Sequence, residues 1–291
     1  MSGLPIGSVH KVTLPNGEVL DDAIIIKNGL SFYSDATIDE LAIFNSFRTI
    51  PKQDSSKPIE FSETGQDPIM VLGSHPSLHY RGNALKRHKI WVQSNYQDGL
   101  LKYGYTGWQH SISAATRSIE SVPQINELMT WFNNGKFSQI LAHHGLPPCD
   151  LPFNHAIFTR YEDESDYIGL HSDKEKDFEE DSYFLVVKFG CERIFELADK
   201  DDSSVFFSEK LPGGSLVIVR AKSSNEDKPS ANSLMKHGVP VSKSKCGPSG
   251  SIVFRCIKTV VPWDEVKVGV EKAEKQKRKR LENKRKRAVK S

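Results

Sequence analysis

The chain is poor in cysteine. Cys149, Cys191, Cys246 and Cys256 are its only four, and no two stand in a Cys-x-x-Cys pair. A disulfide framework is therefore not expected, and the four read as reduced thiols of an intracellular protein. Long apolar runs are also missing. Nothing approaches the 18 residues that would suggest a membrane span, so no membrane is expected as a partner. The first residues, MSGLPIGSVHKVTLPNG, have no apolar stretch of the secretory kind. Internal repeats of 20–50 residues are not evident.

What the chain has is enough for a core. Its 291 residues are 37% hydrophobic and 9% aromatic, which suits one globular domain with appendages. The formal charge of +2 hides an asymmetry. Residues 271–291 hold 11 Lys/Arg and 3 Glu, a charge of +8, so the remainder carries 2 − 8 = −6. Within that tail, Lys277-Arg-Lys-Arg280 and Lys284-Arg-Lys-Arg287 form two basic clusters. They suit an import signal or a nucleic-acid arm, and equally a solvated, partly helical tail.

The most informative stretch runs from Phe153 to Asp173 and ends in His171-Ser172-Asp173. Side chains two apart on an extended strand share a face, so His171 and Asp173 can hold one cation together. A third ligand is plausible 66 residues on, in Lys236-His237-Gly238-Val239-Pro240. Two His and one carboxylate form the facial triad of non-haem Fe(II) oxygenases, which leaves open positions for co-substrate and O2. Alone, a His-x-Asp pair is more often a solvated surface turn. Further features strengthen it here. Arg255 sits in the apolar run Ser251–Ile257, where a buried guanidinium needs an anion. Apolar, β-rich runs at Tyr183–Phe189 and Ser215–Val219 lie between the pair and His237, as an antiparallel barrel requires.

These stretches resemble the AlkB family of Fe(II)/2-oxoglutarate dioxygenases. The similarity covers roughly residues 20–262 and rests on Asn154–Asp173, Tyr183–Phe195, Leu211–Val219, His237–Pro240 and Pro248–Arg255. The family pattern reads Asn-Arg-Tyr, His-x-Asp, His-Gly-Val-Pro, then Arg-x-Asn-x-Thr-Phe-Arg. Here the first piece is Thr159-Arg160-Tyr161, with Thr in place of a co-substrate-binding Asn. The last piece is Ser249-Gly-Ser251-Ile-Val-Phe-Arg255, so only the second Arg survives. The lost Arg is one that grips an oxoglutarate carboxylate in the family; Lys243 or Lys245 is a candidate substitute.

The resemblance implies a mainly β fold with flanking helices, a double-stranded β-helix or jelly-roll barrel. It implies Fe(II) on His171, Asp173 and His237, with 2-oxoglutarate as co-substrate near Arg255 and Tyr161. The implied reaction is oxidative demethylation of N-alkylated bases in DNA or RNA. The alternatives are another base modification, a protein substrate, or a nucleic-acid-binding protein with a decayed site. We expect one AlkB-like domain over 1–262, with a lid near 85–110 and a catalytic barrel over about 150–262, then a basic tail over 263–291. Nuclear or cytoplasmic location and a monomer are expected.

In the lid, Ile90, Val92, Tyr103 and Tyr105 resemble nucleotide-covering strands, with Lys86, Arg87 and Lys89 adding positive charge. Without the resemblance, an ordinary solvated hairpin is the better reading. Glu175, two beyond Asp173, occupies the family's base-contacting position, and is as readily one more solvated Glu. Elsewhere, Pro15-Asn16-Gly17 marks a turn between short strands, and Asn28-Gly29 a hairpin joining β-like runs 23–26 and 30–33. Thr37–Ser46 and Val122–Phe132 have helical patterns. Residues 50–70 and Ala221–Lys236 read as loops, the latter at the surface and placing His237.

Overall fold

A strand buried on both faces must be apolar on both, and a run such as Tyr183-Phe-Leu-Val-Val-Lys-Phe189 meets that demand with one exception, Lys188. In the computed structural model this run is the middle of a barrel. The structure describes residues 7–33, 79–80, 83–84, 87–94, 100–101, 116–258 and 261–262. The expected helix at 37–46, the loop at 50–70, Lys86, Tyr103, Tyr105 and the tail at 263–291 lie outside them.

In chain order the strands are β1 (Val9–Thr13), β2 (Val19–Ile26), β3 (His79–Tyr80), β4 (Asn83–Ala84), β5 (His88–Gln93), β6 (Leu100–Leu101) and β7 (Thr116–Ser118). There follow β8 (His155–Tyr161), β9 (Ile168–His171), β10 (Tyr183–Gly190), β11 (Arg193–Asp199), β12 (Val205–Leu211), β13 (Leu216–Arg220), β14 (Met235–Val239), β15 (Ser249–Arg255) and β16 (Val261–Pro262). The α-helices are α1 (Gly29–Tyr33), α2 (Pro123–Trp131), α3 (Phe137–His144) and α4 (Ala231–Leu234).

Eight strands form one sheet, in the order β1-β2-β13-β10-β15-β8-β5-β7. Four form a second, β12-β11-β14-β9. From β8 to β15 the chain passes back and forth between the two sheets, and these pairings are antiparallel. This is the jelly-roll barrel, mainly β with helices on one side.

The strand period of two sorts each large-sheet residue to one of two cores. Ala156, Phe158, Leu185, Val187, Ile252 and Phe254 face α2 and α3, meeting Ile125, Leu128, Met129, Ile140 and Leu141. Ile157, Tyr161, Phe184, Val186, Val217 and Val219 face inward, against Phe195, Leu197, Leu211, Met235 and Val239 of the small sheet. Truncating Phe254, fully buried against the helices, should cost about 3–5 kcal/mol. α2 begins as expected, with Pro at its first turn, where no intrahelical donor is lost.

Three expectations need correction, and one strand went unread. Leu30–Tyr33 is the short helix α1, not a strand. Asn28 adopts φ 54°, and Leu30, 1% exposed, is pinned by its N–H donating to Gly214 O at 2.9 Å. Ile90 and Val92 are not lid residues: β5 pairs with β8, and both side chains lie in the helix-facing core. Val205–Leu211 is a strand that composition alone did not reveal. Finally, Ala221–Lys236 is no plain surface loop. It contains α4, begun by the Ser230 hydroxyl accepting from Ser233 N–H at 3.3 Å, and buries Ser230, Ala231 and Asn232. The Pro15-Asn16-Gly17 turn is present as expected, with Gly17 at φ 87° and Asn16 Oδ1 accepting from Glu18 N–H.

Candidate metal centre

The small sheet brings the triad together. His171 ends β9 and His237 lies in β14, and the two are direct cross-strand partners with ring centroids 4.4 Å apart. Asp173 follows two residues after His171. One ligand atom from each of His171, Asp173 and His237 lies within 4.8 Å of the others. The close approach of β14 to β9 requires glycine at 238. A Cβ there would meet Ile168 O at 3.0 Å and Leu170 N at 3.2 Å, both backbone atoms that cannot turn aside.

His171 and Asp173 are each braced by groups that do not compete for a cation, and the His237 ring lies against those of Phe184 and Phe195. Gly169 O lies 2.9 Å from His171 Nδ1; a carbonyl only accepts, so Nδ1 carries the proton and Nε2 keeps its lone pair. Arg255 Nη2 donates to Asp173 Oδ2 at 2.7 Å, leaving Oδ1. Asn232 grips the Asp173 backbone from both sides, its Oδ1 accepting from the Asp173 N–H at 3.1 Å and its Nδ2 donating to Asp173 O at 3.0 Å. Ser172 Oγ donates to Met235 O at 2.6 Å and ties the intervening residue to β14.

Electrostatics favour the metal-binding protonation states. Burial and the neighbouring His237 push His171 down to about 3. Burial lowers His237 too. For Asp173, burial opposes the charge, but Arg255 and the two histidines outweigh it and hold the carboxyl below its usual range. Two neutral imidazoles and a carboxylate suit a divalent cation such as Fe(II).

The triad opens into a cavity between the sheets. Its wall includes Lys89 from β5, Thr159 and Tyr161 from β8, Lys188 from β10, and Ser251 and Arg255 from β15. Tyr161 is 2% exposed, and burial pushes its phenol up to about 12. Its ring lies 5.7 Å from Lys188 Nζ and 5.4 Å from the Arg193 guanidinium. Arg193 is itself buried and donates to Asp163 O, Asp166 O and Pro240 O, joining the loops that follow β8 and β14.

The sequence-based site residues are thus partly assembled. His171, Asp173, His237, Arg255 and Tyr161 meet at one cavity. The anion expected for Arg255 is Asp173. Lys243 and Lys245 are exposed on the loop before β15 and do not line the cavity, so neither stands in for the missing Arg. Glu175 lies off the cavity wall, with Oε1 accepting from Ser230 Oγ at 3.0 Å. Arg87 Nη1 donates to Tyr167 O at 3.0 Å. Three residues escaped the sequence reading: Asn232, Lys89 as a wall residue rather than a surface charge, and Lys188. The signal for Lys188 was a lone cation inside an otherwise apolar strand.

No family model matches the chain. Among curated proteins it is similar to the DNA oxidative demethylase ALKBH2 of Arabidopsis thaliana, 35% identical over 86 residues. That match spans 30% of this chain and 27% of the relative's length. Among solved structures it is similar to OsALKBH1, with a TM-score of 0.42 and 16% identity over 81% of this chain and 96% of that one. It is also similar to a prolyl hydroxylase from Trichoplax adhaerens in complex with a hypoxia inducible factor peptide, with a TM-score of 0.39 and 8% identity over 81% and 84%. A third, a 2OG-Fe(II) oxygenase family oxidoreductase from Burkholderia pseudomallei, has a TM-score of 0.34 and 12% identity over 49% and 63%.

Proposed function

We propose that this AlkB-like chain is an Fe(II)- and 2-oxoglutarate-dependent dioxygenase that demethylates N-alkylated bases in nucleic acid. The observation that carries the reading is the clustered His171–Asp173–His237 set facing a cavity between two sheets. When bound, Fe(II) would use O2, with 2-oxoglutarate oxidised to succinate and CO2, to supply the hydroxylation of an N-methyl group, which then leaves as formaldehyde. The chain's own residues do the rest. His171, Asp173 and His237 hold the cation on one face. Arg255 fixes the rotamer of Asp173 and adds positive charge where a chelating carboxylate would lie. Tyr161 offers a hydroxyl to the co-substrate, and the apolar walls from Ile157, Val186 and Phe195 exclude water.

The choice of nucleic acid rests on the resemblance, on the name of the Arabidopsis relative and on the basic tail. On this reading Lys86, Arg87, Tyr103, Tyr105 and Glu175 contact the substrate, and the domain over 1–262 works as a monomer with the tail as an arm. The intact bracing of His171 and Asp173 favours a working centre over a decayed one.

The test is an anaerobic titration with Fe(II) and then 2-oxoglutarate, watching for the visible charge-transfer band, followed by assay of succinate and formaldehyde on N-methylated oligonucleotides. A band with succinate but no formaldehyde on any methylated DNA or RNA would move the substrate to another class. No band at all would refute the centre itself.

A further inference from the structure

The cavity wall holds a buried charge that no hydrogen-bond partner answers among the described residues. Lys188 is 1% exposed, and its Nζ has no hydrogen-bond partner among the described residues. Its one close neighbour is the face of the Tyr161 ring, with the Arg193 guanidinium beyond. An ammonium is kept in such a place when an anion comes to it.

Its position is informative. Lys188 pairs with Ser251 across β10 and β15, and Ser249 lies two residues along, opposite Gly190. All three inward positions share one stretch of the barrel wall. Ser249 and Ser251 are small, buried residues where the AlkB pattern has Arg and Asn, and the Ser249 hydroxyl also lacks a hydrogen-bond partner. The cation missing from β15 thus reappears on the neighbouring strand, and the serines leave it room. Lys188 lines the same cavity as His171 and His237.

We propose that Lys188 receives the distal carboxylate of the dicarboxylate co-substrate, carrying from β10 the charge that the family pattern places at position 249. The inference rests on the proposed use of 2-oxoglutarate and names the residue that selects a dicarboxylate. One end of the ligand meets the triad and Arg255; the other forms a charge-assisted hydrogen bond to Lys188 Nζ.

The experiment needs no turnover. Mn(II)-loaded protein is titrated by calorimetry with N-oxalylglycine, and with oxamate, which keeps the chelating end but lacks the distal carboxylate. We expect Lys188→Met to weaken N-oxalylglycine binding by about 100-fold or more, with Mn(II) and oxamate binding unchanged. Lys188→Arg should retain a preference for the dicarboxylate, and adding Ser249→Arg to Lys188→Met should restore it. N-oxalylglycine binding by Lys188→Met as tight as wild type would overturn the proposal. So would equal losses for N-oxalylglycine and oxamate, which would show a merely structural role. Failure of the wild type to bind Mn(II) would instead overturn the metal centre on which the proposal rests.

Discussion

The two ends of the cavity are built differently. At the triad, two of the three side chains already have hydrogen-bond partners: Asp173 has Arg255 and Asn232, and His171 has Gly169 O, while His237 is packed against the rings of Phe184 and Phe195. At the far end, Lys188 Nζ and Ser249 Oγ have no hydrogen-bond partner among the described residues. The first arrangement fixes geometry before a ligand arrives; the second stores an unmet electrostatic demand that only a ligand relieves. A metal needs donors held in place, because coordination tolerates little positional error. A carboxylate needs a dry cation, because desolvation makes the contact selective.

The largest effect should come from breaking the prebuilt end. His237→Ala removes a ligand with no spare nearby, and stoichiometric Fe(II) or Mn(II) binding should be lost in a direct metal-binding titration. Full metal occupancy in this variant would remove His237 from the centre. Next comes Arg255→Leu, which strands a buried Asp173 carboxylate. Denaturation of the metal-free protein should show a loss of about 3–5 kcal/mol, as for other broken buried pairs. Bound metal should recover part of that loss, because it supplies the missing positive charge.

A smaller effect is expected for Asn232→Ala. It touches no ligand atom, yet it frees the Asp173 backbone on both sides, and metal affinity should fall about 10–100-fold. An unchanged dissociation constant would show that the clamp is redundant.

The smallest effect sharpens the contrast from the open end. Burial, with help from Arg193 on β11, lowers the Lys188 ammonium to about 8. Tyr161 faces it from β8 and Ser251 from β15, and neither supplies a countercharge in that range. The charged form is therefore lost as pH rises through about 8, so N-oxalylglycine affinity should decline there while oxamate affinity declines less. Parallel pH profiles for the two ligands would mean that Lys188 does not sense the distal carboxylate.

How legible was this in the sequence? The clustering of His171 and Asp173 was, because they are two apart and the strand period is a local property. His237 came with its motif. The strands around it were read from apolar runs, and the barrel followed from their order. Lys188 was not legible, because its relation to Ser249 and Ser251 exists only through cross-strand register, which links residues more than 60 apart. Asn232 was missed for a related reason: its stretch is polar, and polar stretches read as surface unless one knows what they cover. Leu30–Tyr33 misled because so short a stretch, with Leu30, Phe32 and Tyr33 around one Ser, fits a strand and a helical turn equally well.

Arg193 has a kinetic consequence. One guanidinium spans the loop after β8, through Asp163 and Asp166, and the loop after β14, through Pro240. Neither loop can lift without surrendering bonds shared with the other. The Ser242 N–H also donates to Glu164 O at 2.9 Å, so the rim beside Tyr161 is bolted twice and should open in one concerted event. Amides of residues 163–166 and of Val241 and Ser242 should then exchange with solvent at a common rate, and Arg193→Ala should raise that rate, with the Ser242–Glu164 bond left as the remaining tie.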